Sequence, residues 1–242
     1  MAENESGQEK TEQPTPKRLN DAREKGDNPR SPELATASVF VGAVMSLIAF
    51  GGWMAGHAMA WMSNQLQSAG QGRGLGEALV DRAALSIGEL MLAVGPLVAT
   101  CLLFAFVAPA VMGFGFSTQA LTPNAERLSP IAGLKRIFGT QGLGELVKSL
   151  LRIAILGAIG TVYYLAYEDR LLMLSQLPVA AAAAQGFGLI LGLLMAMGVG
   201  LVLLAVADVP WQLWTWKRRL KMTRQELLEE MKEMEGRPEV KG

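Results

Sequence analysis

The sequence predicts an all-α integral membrane protein whose four transmembrane helices form two hairpins, with the N and C termini cytoplasmic. Three observations predict it. Half of the 242 residues are hydrophobic and only 7% are aromatic, so the apolar content lies in Leu, Ala, Val, Met and Ile, the mixture of lipid-facing helices. Four stretches are each long enough to cross a bilayer core of about 30 Å, which takes about 20 helical residues. Basic residues are segregated: Lys10, Lys17, Arg18, Arg23, Lys25 and Arg30 precede the first apolar run, and a second basic group follows Val209.

Residues 1–33 read as a cytoplasmic N-terminal segment. A charged stretch precedes the first apolar run without the short apolar core and small-residue cleavage site of a signal peptide, so that run is expected to stay as an anchor. Within the segment, Thr15 and Pro16 predict a helix N-cap and first helical residue, and Gly26 closes that helix after Lys25. Ser31, Pro32 and Glu33 repeat the start signal at the first span.

Residues 34–209 form a four-span membrane domain. The spans are expected at about 34–62, 87–116, 150–167 and 179–209. The first, Leu34 to Met62, carries no formal charge. The second has its apolar run from Leu90 to Phe116, with Glu89 at its entry and Pro96 and Pro109 inside. The third is entered through Lys148 and Arg152. The fourth is broken only by Gln185 and Asp208. Uninterrupted apolar runs lack the alternation of a membrane β-strand, and lipid offers backbone groups no partner, so helices are the expected form. Arg127, Lys135 and Arg136 lie in the loop after the second span, whereas the loop after the first has only Arg73 and Arg82 and the loop after the third only Arg170. Basic flanks alternate with poor ones, which predicts two short periplasmic connections.

The loop at 117–149 is expected to be cytoplasmic. Ser129 and Pro130 open a short helix in which Ile131, Leu134, Ile137 and Phe138 share a face and Gly139 ends it. Residues 210–242 read as a cytoplasmic linker helix. Thr223 and Glu226 fit a capping box, and Gly236 and Pro238 stop the helix. The segment looks like a stalk leading to a C-terminal domain absent here.

Catalytic candidates are few. A metal centre or a triad needs convergent ligands or an oriented base, and the chain has one histidine, His57, and one cysteine, Cys101, both in apolar runs. No metalloprotease or phosphate-loop motif occurs. The reading is therefore no enzyme within this chain, with no catalytic, cofactor-binding or metal-binding residue and no cofactor. The zero net charge gives no sign of nucleic acid as a partner. His57 and Cys101 read as packing residues, and Glu89 as a carboxylate near a periplasmic span end. Asp208, with Trp211, Trp214, Trp216, Lys217, Arg218 and Arg219, reads as a membrane-interface anchor in which the carboxylate pairs with local basic groups, rather than as a transport site. Gly52 with Gly56, Gly188 with Gly192 and Gly157 with Gly160 are spaced to let helices approach closely.

Four stretches together resemble one family: Glu9 to Leu34 (EKTEQPTPKRLNDAREKGDNPRSPEL), Leu128 to Leu151 (LSPIAGLKRIFGTQGLGELVKSLL), Asp208 to Gln212 (DVPWQ) and Met222 to Gly242 (MTRQELLEEMKEMEGRPEVKG). They are similar to the export switch proteins of bacterial type III secretion, the FlhB and YscU family, with the first stretch closer in character to the flagellar branch. The resemblance implies a multi-pass protein of the bacterial inner membrane at the flagellar basal body. It implies association with the FliP, FliQ and FliR export-gate proteins and with FlhA, and contact with exported flagellar proteins in transit and with the lipid bilayer. It also implies regulation of gate opening and, in the full-length protein, a switch in substrate specificity. The family cuts itself at an N-P-T-H site, and no position of this sequence matches it.

In such proteins the loop between the second and third spans wraps the channel entrance. That resemblance, with the amphipathic pattern, assigns partner binding to Ile131, Gly133, Leu134, Lys135, Arg136, Ile137 and Phe138, with Gly139, Gly142 and Gly144 as further points of bending. A helix lying flat on lipid headgroups is the alternative for this loop. For the chain as a whole, an injectisome homologue in virulence secretion and a stand-alone small-molecule transporter are the alternatives. The midplane positions are apolar and the two hairpins share no motif, which argues against the transporter.

Overall fold

Long apolar runs without β-alternation fold as helices here, and their ends are set by the local signals in the sequence. The computed structural model describes residues 10–70, 78–113 and 140–235. Among these, helix α1 spans Pro16–Glu24, with the Thr15 hydroxyl accepting the Arg18 N–H at 3.1 Å as N-cap. Gly26 follows at φ 82°, the left-handed conformation that terminates a helix without a Cβ clash. Helix α2 spans Pro32–Gly70, capped by Ser31, whose hydroxyl accepts the Leu34 N–H at 3.1 Å.

The second span divides. Helix α3 covers Ala78–Ala105 with Pro96 inside it, and a short α4 covers Val107–Met112. The break lies four residues before Pro109, whose missing N–H leaves the Ala105 carbonyl without a helical partner. Helix α5 spans Thr140–Met173, and a single 3-10 turn, Leu174–Gln176, leads to α6, Val179–Arg219. Helix α7 spans Arg224–Glu235. Its capping box is formed: the Thr223 hydroxyl accepts the Glu226 N–H at 3.2 Å, and the Glu226 carboxylate accepts the Thr223 N–H at 3.0 Å.

Four of these stretches are long and apolar enough to cross a membrane: Pro32–Ser68, Ala84–Met112, Gly144–Gln176 and Val179–Arg219. The protein is thus an all-α membrane protein with four spans. The helices outrun the apolar runs. The 41 residues of α6 extend about 60 Å, twice the hydrocarbon thickness, so its last turns project beyond the core. Likewise α5 begins at Thr140, so Gly142 and Gly144 lie inside a helix rather than at bends of a loop. Glu145 and Lys148 end the apolar run without ending the helix, because hydropathy marks the lipid boundary and not the hydrogen-bond ladder. The short helix expected over 129–139 and the stop at Gly236 and Pro238 lie outside the described residues.

The spans form a row in the order α3, α2, α6, α5. The α2–α6 crossing is built on Ala37, Leu201 and Ala205, with Leu34, Phe40 and Leu156 around them. Small side chains let the backbones approach, the main source of helix association where lipid removes the hydrophobic drive. Within the hairpins, a Cβ at Gly42 would lie 2.7 Å from the Phe104 ring, and one at Gly192 would collide with the Tyr163 hydroxyl. That hydroxyl donates to the Leu189 carbonyl at 2.8 Å, pinning α5 to α6, while Trp61 Nε1 donates to the Ser86 carbonyl at 3.0 Å, pinning α2 to α3. Of the glycine pairs expected at contacts, Gly52, Gly56, Gly157 and Gly188 have nothing near them within 4 Å.

An antiparallel bridge joins Glu12 to Met222. It places the segment before the first span and the segment after the fourth on one side of the membrane domain, called here the terminal side.

Candidate functional site

On the terminal side, three spans bring charged groups together just inside the apolar zone. Lys148 and Arg152 stand four apart, on one face of α5. Asp208 lies on the facing side of α6, and Ser31 and Glu33 begin α2. The buried Ser31 hydroxyl donates to Asp208 Oδ2 at 2.6 Å. Asp208 Oδ1 accepts from Gln212 Nε2 at 3.2 Å and from Lys148 Nζ at 3.5 Å. The Arg152 guanidinium pairs with the Glu33 carboxylate. Two cations and two carboxylates therefore cancel locally, which is the condition for keeping charge at this depth.

Burial grades the two pairs. The Asp208 side chain is 8% exposed against 35% for Lys148, and Glu33 is 12% exposed against 31% for Arg152. The carboxylates are the enclosed partners, and the cations reach toward the edge on long stems. Glu33 Oε2 and Arg152 Nε are buried without a hydrogen-bond partner, so this pair is less completely satisfied than the one at Asp208. A cleft of about 250 Å³ opens beside the network, lined by Glu33, Leu151, Leu204, Ala207 and Trp211 among others. The arrangement ties α2, α5 and α6 by polar contacts at one level.

The predicted anchor residues separate. Asp208 is not paired with Lys217, Arg218 or Arg219; its cation comes from α5. Trp211 and Trp214, three apart, share an exposed face with ring centroids 5.4 Å apart, and Arg218 sits 5.1 Å from the Trp214 ring. Trp216, two residues further, points the opposite way and is 2% exposed, with its Nε1 donating to the Asp27 carbonyl at 2.8 Å. Arg219 pairs with Asp27 at 3.5 Å, and Lys217 lies exposed on the same terminal turn. The helical period makes the division: a spacing of two turns a side chain to the opposite face. His57, expected to pack, lies exposed on α2, its ring centroid 3.9 Å from that of Trp53 at a tilt of 36° and its Nδ1 at 2.9 Å from the Trp53 carbonyl oxygen. The predicted loop residues Ile131, Gly133, Leu134, Lys135, Arg136, Ile137 and Phe138 lie outside the described residues.

Sequence reasoning singled out Asp208 and missed its partners. The signal was present: two cations four apart at the entry of an apolar span need counter-charges at the same depth, and Glu33 and Asp208 are the carboxylates placed at the corresponding ends of their own spans.

Comparison with known proteins gives a single direction. Residues 8–242 match the sequence model of the FlhB HrpN YscU SpaS family. The chain is 31% identical over 250 residues to the flagellar biosynthetic protein FlhB of Salmonella typhimurium, covering 100% of this chain and 63% of that protein. It is 33% identical over 248 residues to FlhB of Yersinia enterocolitica, with the same two shares, 100% and 63%. It is 33% identical over 240 residues to the Yop proteins translocation protein U of Yersinia pestis, covering 96% of this chain and 66% of that one. The chain thus spans 63% of the length of both FlhB proteins.

Proposed function

Because the chain belongs to the FlhB HrpN YscU SpaS family, we propose that it is the four-span membrane part of a flagellar type III protein-export component that associates with the export gate and regulates its opening. The observation that carries this reading is the match over residues 8–242, which takes in the spans, the loop and both terminal segments. The partners in this reading are FliP, FliQ, FliR and FlhA, in the inner membrane at the basal body, with the termini cytoplasmic. The distribution of Lys and Arg supports that orientation, and the Glu12–Met222 bridge supports a common side for both ends. The role is structural and gating, not enzymatic.

The row of spans suits it. The outer helices α3 and α5 keep broad apolar surfaces uncovered, with Leu102 and Leu103 on one and Ile153, Val162 and Leu165 on the other all exposed. Such surfaces fit lipid on one side and neighbouring subunits on another. The test is purification of the full-length protein from its native membrane. Co-purification of FliP, FliQ and FliR is expected; their absence, or solute flux through the protein alone, would overturn the reading. A second reading, a component of a virulence injectisome, rests on the 33% identity to the Yop translocation protein. Deleting the gene separates the two: loss of secreted hook and filament proteins marks the flagellar role, and loss of secreted effectors marks the other.

A further inference from the structure

The last turn of α6, the joint Leu220–Thr223 and all of α7 would form a loose tether if the chain beyond the membrane were held only by its own backbone. Instead residues from the other end of the sequence grip this region at three levels. At the base, the buried Trp216 ring donates its N–H to the Asp27 carbonyl, with Arg23 5.8 Å from the ring centroid. At the joint, Glu12 and Met222 exchange both backbone hydrogen bonds, at 3.0 and 3.1 Å, and Met222 and Thr223 are buried beneath them. Along α7, Lys17 Nζ meets Glu233 Oε2 at 3.1 Å. Ten residues of helix separate Thr223 from Glu233, about 15 Å of rise.

We propose that the segment 10–27 is a positioning clamp that fixes the direction in which α7 leaves the membrane. A helix held at one point can swing about it; a second contact about three turns beyond the buried Met222–Thr223 joint, the Lys17–Glu233 pair, narrows that swing. The clamp has its own footing on the membrane domain. The Trp216 and Asp27 contact joins it to the end of the fourth span, and the Arg23 guanidinium lies beside Gly113 at the end of the second, where a Cβ would sit 3.6 Å from it. The segment therefore bridges the exits of two spans to the stalk, and a movement at either exit is transmitted to α7. This inference does not depend on the gate association proposed above; it concerns contacts within one chain.

The experiment is a distance measurement by paired spin labels at Asn20→Cys and Glu229→Cys, in the full chain in lipid nanodiscs with Cys101→Ser. Both label sites are exposed, and neither takes part in the contacts described. The native protein should give one narrow distance distribution. The combination Trp216→Phe with Lys17→Glu removes the indole donor and opposes two carboxylates, and it should abolish the single narrow peak while the helical content is unchanged. Lys17→Glu alone, with Trp216 kept, should broaden the peak, and adding Glu233→Lys should narrow it again, a rescue that a general loss of folding would not give. A broad distribution in the native chain, or a narrow one that persists in the double variant, would overturn the clamp.

Discussion

Replacing Asp208 with alanine should destabilise the membrane domain by about 2–4 kcal/mol, and the larger part of that loss belongs to Ser31 rather than to Lys148. The Ser31 hydroxyl is buried and donates to the carboxylate at 2.6 Å. A hydrogen bond to a charged acceptor contributes about 1.5–3 kcal/mol, and losing the acceptor strands a buried donor. The Lys148 ammonium lies 3.5 Å from the other oxygen and is 35% exposed, so solvent screens it and the pair is worth at most about 1 kcal/mol. Burial, not formal charge, decides the order. The effects should rank Asp208→Ala, then Ser31→Ala, then Lys148→Ala, the serine change including about 1 kcal/mol for the lost N-cap of α2. The assay is unfolding of the purified protein from detergent micelles by SDS, followed by tryptophan fluorescence and organised as two double-mutant cycles through Asp208. A coupling to Lys148 equal to or larger than the coupling to Ser31 would refute the reasoning, as would an Asp208→Ala protein as stable as the original.

Gly42→Val should force the Phe104 ring aside and cost about 1–3 kcal/mol, whereas Gly52→Ala and Gly56→Ala, which meet nothing and replace helix-interior glycines, should leave the protein at least as stable in the same assay. Thr223→Ala should remove about 1 kcal/mol from α7 through its cap, seen as faster amide exchange at its first turn. The Glu233 carboxylate, by its hydrogen bond first and its charge second, raises the Lys17 ammonium above its ordinary 10.5. The attraction is therefore complete below that value and lost only as pH rises through the raised one, so the label distance across the clamp should be constant from neutral to mildly alkaline solution. In cells, Phe138→Asp or Leu134→Asp should abolish export while the protein stays in the membrane; export near normal would move the partner contact out of the loop.

Much of the fold is written in short stretches of sequence. Runs of apolar residues place the four spans, because crossing lipid depends on length and composition and on little else. Thr15, Ser31 and the Thr223 and Glu226 pair mark helix starts, since a cap joins groups three residues apart and needs no distant partner. The spacing of Trp211, Trp214 and Trp216 already places the last on another face, although it does not say that the face is buried. Tertiary structure alone decides what those faces meet. Asp208 finds Lys148 at a separation of 60 residues and Ser31 at 177, and Glu33 finds Arg152 at 119. Gly42 and Gly192 sit at contacts while the similar Gly52 and Gly56 do not. Hydropathy and helical period repeat along one helix, so they carry no information about which neighbour lies across a crossing. That choice is made when the spans pack in their row, where buried charges are tolerated only beside their opposites.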